Sequence, residues 1–189
     1  MIDASATAKL PGWEVANINH TNYGTKSIAD AFAVSSNTAF ARLILSIGPD
    51  KVVDVAKRMG ITSPLTATGS LTLGSESVTP LEMANAYATI ANGGTHYDPE
   101  CVERIVDRNG SIVVDNSAPK GERAISAEVA HAATEVMKGV VNTSEGTGTL
   151  AKLDNGQEVA AKTGTSSEYH DITFCGITPQ LSVAVWFGD

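Results

Sequence analysis

At residue 151 the chain changes from helix-patterned to strand-patterned sequence, and this switch limits its fold more than any other feature. Runs 158–165, 172–177 and 181–187 read as three strands, separated by turns near Ser166-Ser167 and Pro179-Gln180. Helices first and strands last predict an α+β domain with an antiparallel sheet. The chain reads as one domain over 1–189, mainly helical with one hairpin through residue 150 and three sheet strands from 151 on.

Upstream, the first 25 residues are polar and irregular, with turn signals at Pro11-Gly12 and Tyr23-Gly24. Ser27 can cap a helix through Ala33, with Asp30 completing a shortened capping box. Phe40, Leu43, Ile44 and Ile47 have helical spacing and stop at Gly48. A third helix fits 49–59, closed by Gly60. Thr79-Pro80-Leu81-Glu82 is the clearest helix start: a good cap, proline at the first helical position, and a glutamate able to reach back. That helix runs through Met83, Tyr87 and Ile90 to Gly93-Gly94. Segments 104–107 and 111–114 flank Asn109-Gly110, a pair suited to a type I′ hairpin turn. A further helix covers 127–140.

The chain's 189 residues are enough for one domain with a substantial core. Its net charge of −8 repels phosphate backbones, which argues against nucleic-acid partners. No apolar run reaches the 18 or more residues a membrane span requires, and the N-terminus lacks the pattern of a secretory signal. Cys101 and Cys175 stand apart, with no metal-ligand spacing. Two buried, free cysteines are expected in preference to a disulfide, and no metal or cofactor is implied.

Two short motifs could carry chemistry. Lys162-Thr163-Gly164-Thr165 ends the first of the late strands. A lysine beside two hydroxyls can hold a carboxylate through charge and directed donors, and Gly164 lets a peptide approach the strand edge. An exposed strand-end lysine beside an ordinary turn is the competing reading. Ser35-Ser36-Asn37 precedes a helix, where serine and asparagine are preferred caps. The functional alternative has Ser35 and Asn37 pointing into one cleft, the serine relaying a proton and the asparagine orienting an amide.

Ser-x-x-Lys, Ser-Asp-Asn and Lys-Thr-Gly elements occur together in β-lactamases and penicillin-binding proteins, and two of the three occur here in order. Gly12-Trp13-Glu14-Val15, Asn22-Tyr23-Gly24, Leu73-Gly74-Ser75, the helix from Thr79 to Ala88, Ala91-Asn92-Gly93-Gly94 and Val185-Trp186 extend the likeness. Nearly the whole chain resembles the C-terminal part of the transpeptidase domain of class A, bifunctional penicillin-binding proteins. The resemblance implies a β-lactamase/transpeptidase-like fold and an active-site serine that is acylated by the D-Ala-D-Ala end of a stem peptide, or by a β-lactam. It implies that Ser35 assists proton transfer, Asn37 binds the acyl amide and Lys162 supports Ser35. Thr163 and Thr165 would bind the substrate carboxylate, with the Thr165 N–H forming half of an oxyanion hole.

One departure stands out. The Ser-x-x-Lys expected some tens of residues before Ser35 is missing: Ser5 is followed by Lys9, one position too far, and Ser117-Ala118-Pro119-Lys120-Gly121 is no helix. The resemblance implies that the first two strands of a five-stranded sheet and a closing helix are absent as well. The unit is therefore expected to be incomplete at both ends, without transpeptidase activity alone, and open to self-association through an uncovered sheet edge. The parent protein is expected at the extracytoplasmic face of a bacterial membrane, held there by a segment outside this chain. Three other readings compete: a penicillin-recognising sensor without turnover, an inert structural piece, and a phosphate loop. The phosphate loop would be Gly156-Gln157-Glu158-Val159-Ala160-Ala161-Lys162-Thr163, which departs from that motif at Ala161. It would need a helix starting at the lysine.

Overall fold

The computed structural model describes residues 1–188. Four short strands open the chain: β1 (Ile2–Asp3), β2 (Thr7–Leu10), β3 (Trp13–Ala16) and β4 (Thr25–Lys26). Strands β2 and β3 form a hairpin about Pro11-Gly12, with Gly12 at φ +83°, and β1 pairs with β4. This corrects the irregular start expected from sequence. Ala8 and Val15 pack on Ala41 with Leu10 and Trp13 against them, and Ala4 packs on Ala31 and Ala39 beside Ile2, Tyr23 and Phe40. Inward Ala8, Leu10, Trp13 and Val15 alternate with outward Thr7, Lys9 and Glu14, but strands of four residues give too short a run for the pattern to stand out.

Helices α1 (Ile28–Ala33), α2 (Asn37–Ile47), α3 (Pro49–Arg58), α4 (Pro80–Ala91) and α5 (Ala127–Asn142) match the predicted helices closely. Between α4 and α5 lie β5 (Thr95–His96), β6 (Arg104–Val106), β7 (Ile112–Asp115) and β8 (Glu122–Arg123). Strands β6 and β7 form the expected hairpin, but its turn is not type I′. Among its residues only Gly110 has positive φ, +82°. The Asp107 carboxylate accepts from the N–H groups of Asn109 and Ser111, and Gly110 N–H donates to the Asp107 carbonyl. An aspartate able to organise the turn from its first position leaves one left-handed residue, so type I geometry replaces type I′.

The late strands are β9 (Ala160–Thr165), β10 (Asp171–Ile177) and β11 (Ser182–Gly188), antiparallel in the order β11-β10-β9. Helix α5 packs on β9, and α4 on β10 and β11. Met137, Ala160 and Ile177 form one core between them, and Val141, Val159 and Ala161 another. Of the cysteines, Cys175 is buried but Cys101 is exposed, which corrects the expectation that both are buried; both are free.

The start of α4 ties the helical layer together. The predicted capping box forms between Thr79 and Glu82. The Glu82 carboxylate also takes donors from beyond α3: Thr62 N–H and hydroxyl at 2.7 and 2.9 Å, and Ser63 N–H and hydroxyl at 2.7 Å each. Thr79 adds its N–H and hydroxyl at 2.8 Å each. These donors, the Thr79 N–H first among them, hold the carboxyl well below the usual range. A folded value below the unfolded one means that this stabilisation is complete above the unfolded value of about 4.5 and erodes as pH falls below it. Glu82→Gln should lower the unfolding free energy by about 2–4 kcal/mol at neutral pH and flatten the acid limb of stability. Urea unfolding at pH 7 and pH 4 reads both effects.

Candidate active site

Helix α1 ends in an elbow whose geometry separates three adjacent polar residues. Ser36 N–H donates to the Ala31 carbonyl at 2.9 Å and Ser35 N–H to that of Phe32 at 3.0 Å. This pair of bonds is a Schellman ending, in which the residue past the cap adopts the left-handed conformation. Glycine usually occupies that place; here Ser35 does, at φ +55°. A side chain there costs about 1 kcal/mol and marks a position held by its surroundings. Ser36, by contrast, is buried and caps α2, accepting from Ala39 N–H at 3.3 Å. Asn37 is the first residue of α2, and its amide donates to the Ala16 carbonyl at 2.9 Å. The capping reading of the tripeptide holds at Ser36, and Ser35 and Asn37 both line the cleft, as the functional reading requires of their placement.

Behind the elbow lies Asn17, which sequence reading missed. It is buried; its side-chain oxygen accepts from Ser36 hydroxyl and Thr38 N–H at 3.1 Å each, and its amide donates to the carbonyls of Ala4, Ser5 and Thr21. One asparagine thereby pins the start of α2 to the first strands. No sequence signal distinguished it from the asparagines around it.

Lys162 crosses the cleft from the third position of β9. Its ammonium lies 2.8 Å from the Ser35 hydroxyl and 2.7 Å from the Thr163 carbonyl, with its charge over the Phe32 ring at 5.7 Å. Burial outweighs these favourable contacts and lowers its pKa to about 8. Ser35, Asn37, Lys162, Thr163, Gly164 and Thr165 all border one cleft of about 770 Å³. No helix begins at Lys162, which removes the phosphate-loop reading.

Strand β9 is a sheet edge, and its free side faces this cleft. Ser166 N–H donates to the Asp171 carbonyl just past the paired residues, and antiparallel bonding alternates along a strand. Thr165 and Thr163 therefore turn their backbone groups outward, as the Lys162 contact with the Thr163 carbonyl shows directly. The structure gives a steric reason for glycine at 164 that sequence reading did not anticipate. A Cβ there would stand 2.2 Å from the Thr173 hydroxyl of β10, so the neighbouring strand already fills that space. The two literal or near matches to the nucleophile motif fall elsewhere: Lys9 is in β2, and the exposed Ser117 bonds to Asp115 at the end of the β6–β7 hairpin.

Two measurements test this geometry. Ser35→Gly and Ser35→Ala both lose the hydroxyl, but only alanine keeps the strained Cβ, so the glycine variant should be more stable by about 1 kcal/mol in urea unfolding. Equal stabilities would contradict the strained elbow. In ¹⁵N NMR the Lys162 ammonium should titrate near pH 8 rather than 10.5. With the folded value depressed, charging Lys162 costs stability below pH 8, and stability recovers as pH rises from 8 towards 10.5.

The profile of the penicillin binding protein transpeptidase domain matches residues 3–187. Penicillin-binding protein 1A of Aquifex aeolicus is 33% identical over 192 residues, covering 99% of this chain and 26% of that protein. Penicillin-binding protein 1A of Mycobacterium tuberculosis is 32% identical, covering 97% and 25%. The chain thus spans about a quarter of the length of these relatives. Among solved structures, the PonA1 protein of Mycobacterium tuberculosis in complex with penicillin V superposes with a TM-score of 0.87 at 31% identity, over 99% of this chain and 54% of that one. The imipenem acyl-enzyme complex of penicillin-binding protein A from the same organism gives 0.85 at 27% identity, over 99% and 49%. With its antiparallel sheet, its packed helices and a family match along nearly its whole length, the chain belongs to the penicillin-binding protein transpeptidase family.

Proposed function

We propose that this chain supplies one wall of the acyl-transfer site of a serine-type D,D-transpeptidase that cross-links peptidoglycan stem peptides and is acylated by β-lactams. The observation that carries this reading is the 2.8 Å contact between Lys162 and Ser35, residues 127 positions apart that meet in one cleft. A lysine of lowered pKa beside a serine hydroxyl suits proton transfer near neutral pH. In the proposed reaction a nucleophilic serine hydroxyl attacks the carbonyl of the penultimate D-Ala, and as the bond to the terminal D-Ala breaks the proton the nucleophile gives up is passed through Ser35 to the leaving nitrogen. An amine of a second stem peptide then attacks the acyl-enzyme ester, forming the cross-linking amide as the ester bond breaks and a proton from the amine returns to the serine oxygen. Asn37 holds the acyl amide, and Thr163 and Thr165 hold the terminal carboxylate. The outward Thr165 N–H stabilises the developing oxyanion.

The nucleophile belongs to a Ser-x-x-Lys pair that the described residues do not provide, so the 189-residue chain alone is proposed to be inactive. A stem-peptide substrate places the site at the extracytoplasmic face of the membrane. Among the described residues no helix is long and apolar enough to cross a bilayer, so the proposed membrane attachment lies outside them. Val183, Val185 and Phe187 form an exposed apolar row on β11, at the other edge of the sheet, and we infer that two copies of this chain pair there.

A fluorescent penicillin tests the reading in the full-length protein. Wild type should label covalently, and Lys162→Ala and Ser35→Ala should each slow labelling by about 10²-fold or more. Unchanged rates in both would sink the site; labelling of the isolated 189-residue chain would overturn its proposed inactivity. Gel filtration of that chain should show a dimer that Val185→Lys converts to monomer; an elution volume that this change leaves alone would remove the edge pairing.

A further inference from the structure

Resting on that reading of the site, a further residue can be assigned to it. Thr147 follows α5 on the segment leading to β9 and borders the cleft. Its N–H donates to the carbonyl of Ala33 at 3.2 Å, two residues before Ser35. Its hydroxyl lies 2.6 Å from the hydroxyl of Thr163. One residue therefore touches both the serine elbow and the lysine strand. Its neighbours fix it there. Gly148 N–H donates to the Val140 carbonyl at 3.0 Å, and a Cβ at Gly146 would stand 2.2 Å from the same carbonyl. This loop is thus pressed onto the end of α5 and cannot drift from the strand without losing that packing.

Two hydroxyls at 2.6 Å share one proton between them, and either can supply it. If Thr163 donates to Thr147, the Thr163 oxygen turns its lone pairs to an incoming carboxylate, which repels it. If Thr147 donates to Thr163, the Thr163 proton is free for that carboxylate, and each hydroxyl polarises the next. A bound carboxylate selects the second arrangement. We propose that Thr147 is a positioning residue of this site, donating its hydroxyl to Thr163 so that Thr163 can donate to the substrate carboxylate.

The test uses acylation of the full-length protein by a penicillin and by its methyl ester, which lacks the carboxylate. Thr147→Val should weaken the non-covalent step for the penicillin about tenfold while leaving the first-order acylation step within about twofold. Thr147→Ser, which keeps the hydroxyl, should restore the wild-type constant to within about twofold, and the ester should not distinguish valine from wild type. Because the two hydroxyls act in series, the Thr147→Val/Thr163→Val double variant should be no weaker than Thr163→Val alone. An unaltered penicillin constant, an equal loss on the ester, or additive losses in the double variant would each overturn the proposal. If Thr147→Val lowers the melting temperature, the ratio of Thr147→Ala to Thr147→Ser on the two ligands separates the same outcomes. Failure of the site reading itself looks different: Thr163→Val and Lys162→Ala would then leave penicillin acylation intact.

Discussion

A lysine ammonium held largely out of water, in contact with a serine hydroxyl from a different layer of the fold, sets the terms for the rest of the structure. Desolvating a cation is costly, and the surroundings of Lys162 offset only part of that cost, through the Thr163 carbonyl, the Ser35 oxygen and the face of Phe32. The Phe32 ring meets Phe40 edge to face at 5.6 Å, so the floor beneath the cation is itself fixed by α1 and α2. The remaining penalty appears as a lysine that gives up its proton far more readily than one in water. The helices and strands have to bring these groups together accurately because a displacement of the ammonium would leave a buried charge with fewer partners.

That accuracy comes from treating three consecutive polar residues differently. The left-handed turn at Ser35 aims its hydroxyl at the lysine, Ser36 closes the next helix, and Asn37 is anchored to the first hairpin through the Ala16 carbonyl. Asn17, buried beneath them, links this elbow to the chain's first residues, while Glu82 performs a comparable task at the start of α4. Both are buried polar groups with several partners each, the arrangement in which such groups rigidify a structure rather than weaken it.

The parts of this architecture legible in sequence were those with strong local signals. The capping box at Thr79 and Glu82, the glycine stops after the helices and the apolar runs after residue 151 each reported their own backbone state. The β2–β3 hairpin was missed because each strand is only four residues long, so the alternation of inward Ala8, Leu10, Trp13 and Val15 with outward Thr7, Lys9 and Glu14 is too short a run to stand out. The turn at Asn109-Gly110 was assigned the wrong type because the controlling side chain, Asp107, lies outside the dipeptide. Within the site, motif spacing pointed to Ser35, Asn37 and Lys162, and the structure brings them to one cleft. Asn17 and Thr147 were invisible, since their roles exist only through contacts with segments distant in the chain. The two cysteines had no pattern to tell the exposed one from the buried one.

The close approach between position 164 and the Thr173 hydroxyl has a consequence for how such sequences can vary. The two positions face each other across β9 and β10, and the Thr173 hydroxyl fills the space that a Cβ at 164 would take. Drift at either is therefore conditional on its partner: a methyl at 164 becomes tolerable only if the hydroxyl at 173 is lost or turned away, and a group at 173 in that place demands that 164 stay bare. In a lineage of such chains the pair should vary together, as a single steric unit embedded in the wall of the cleft.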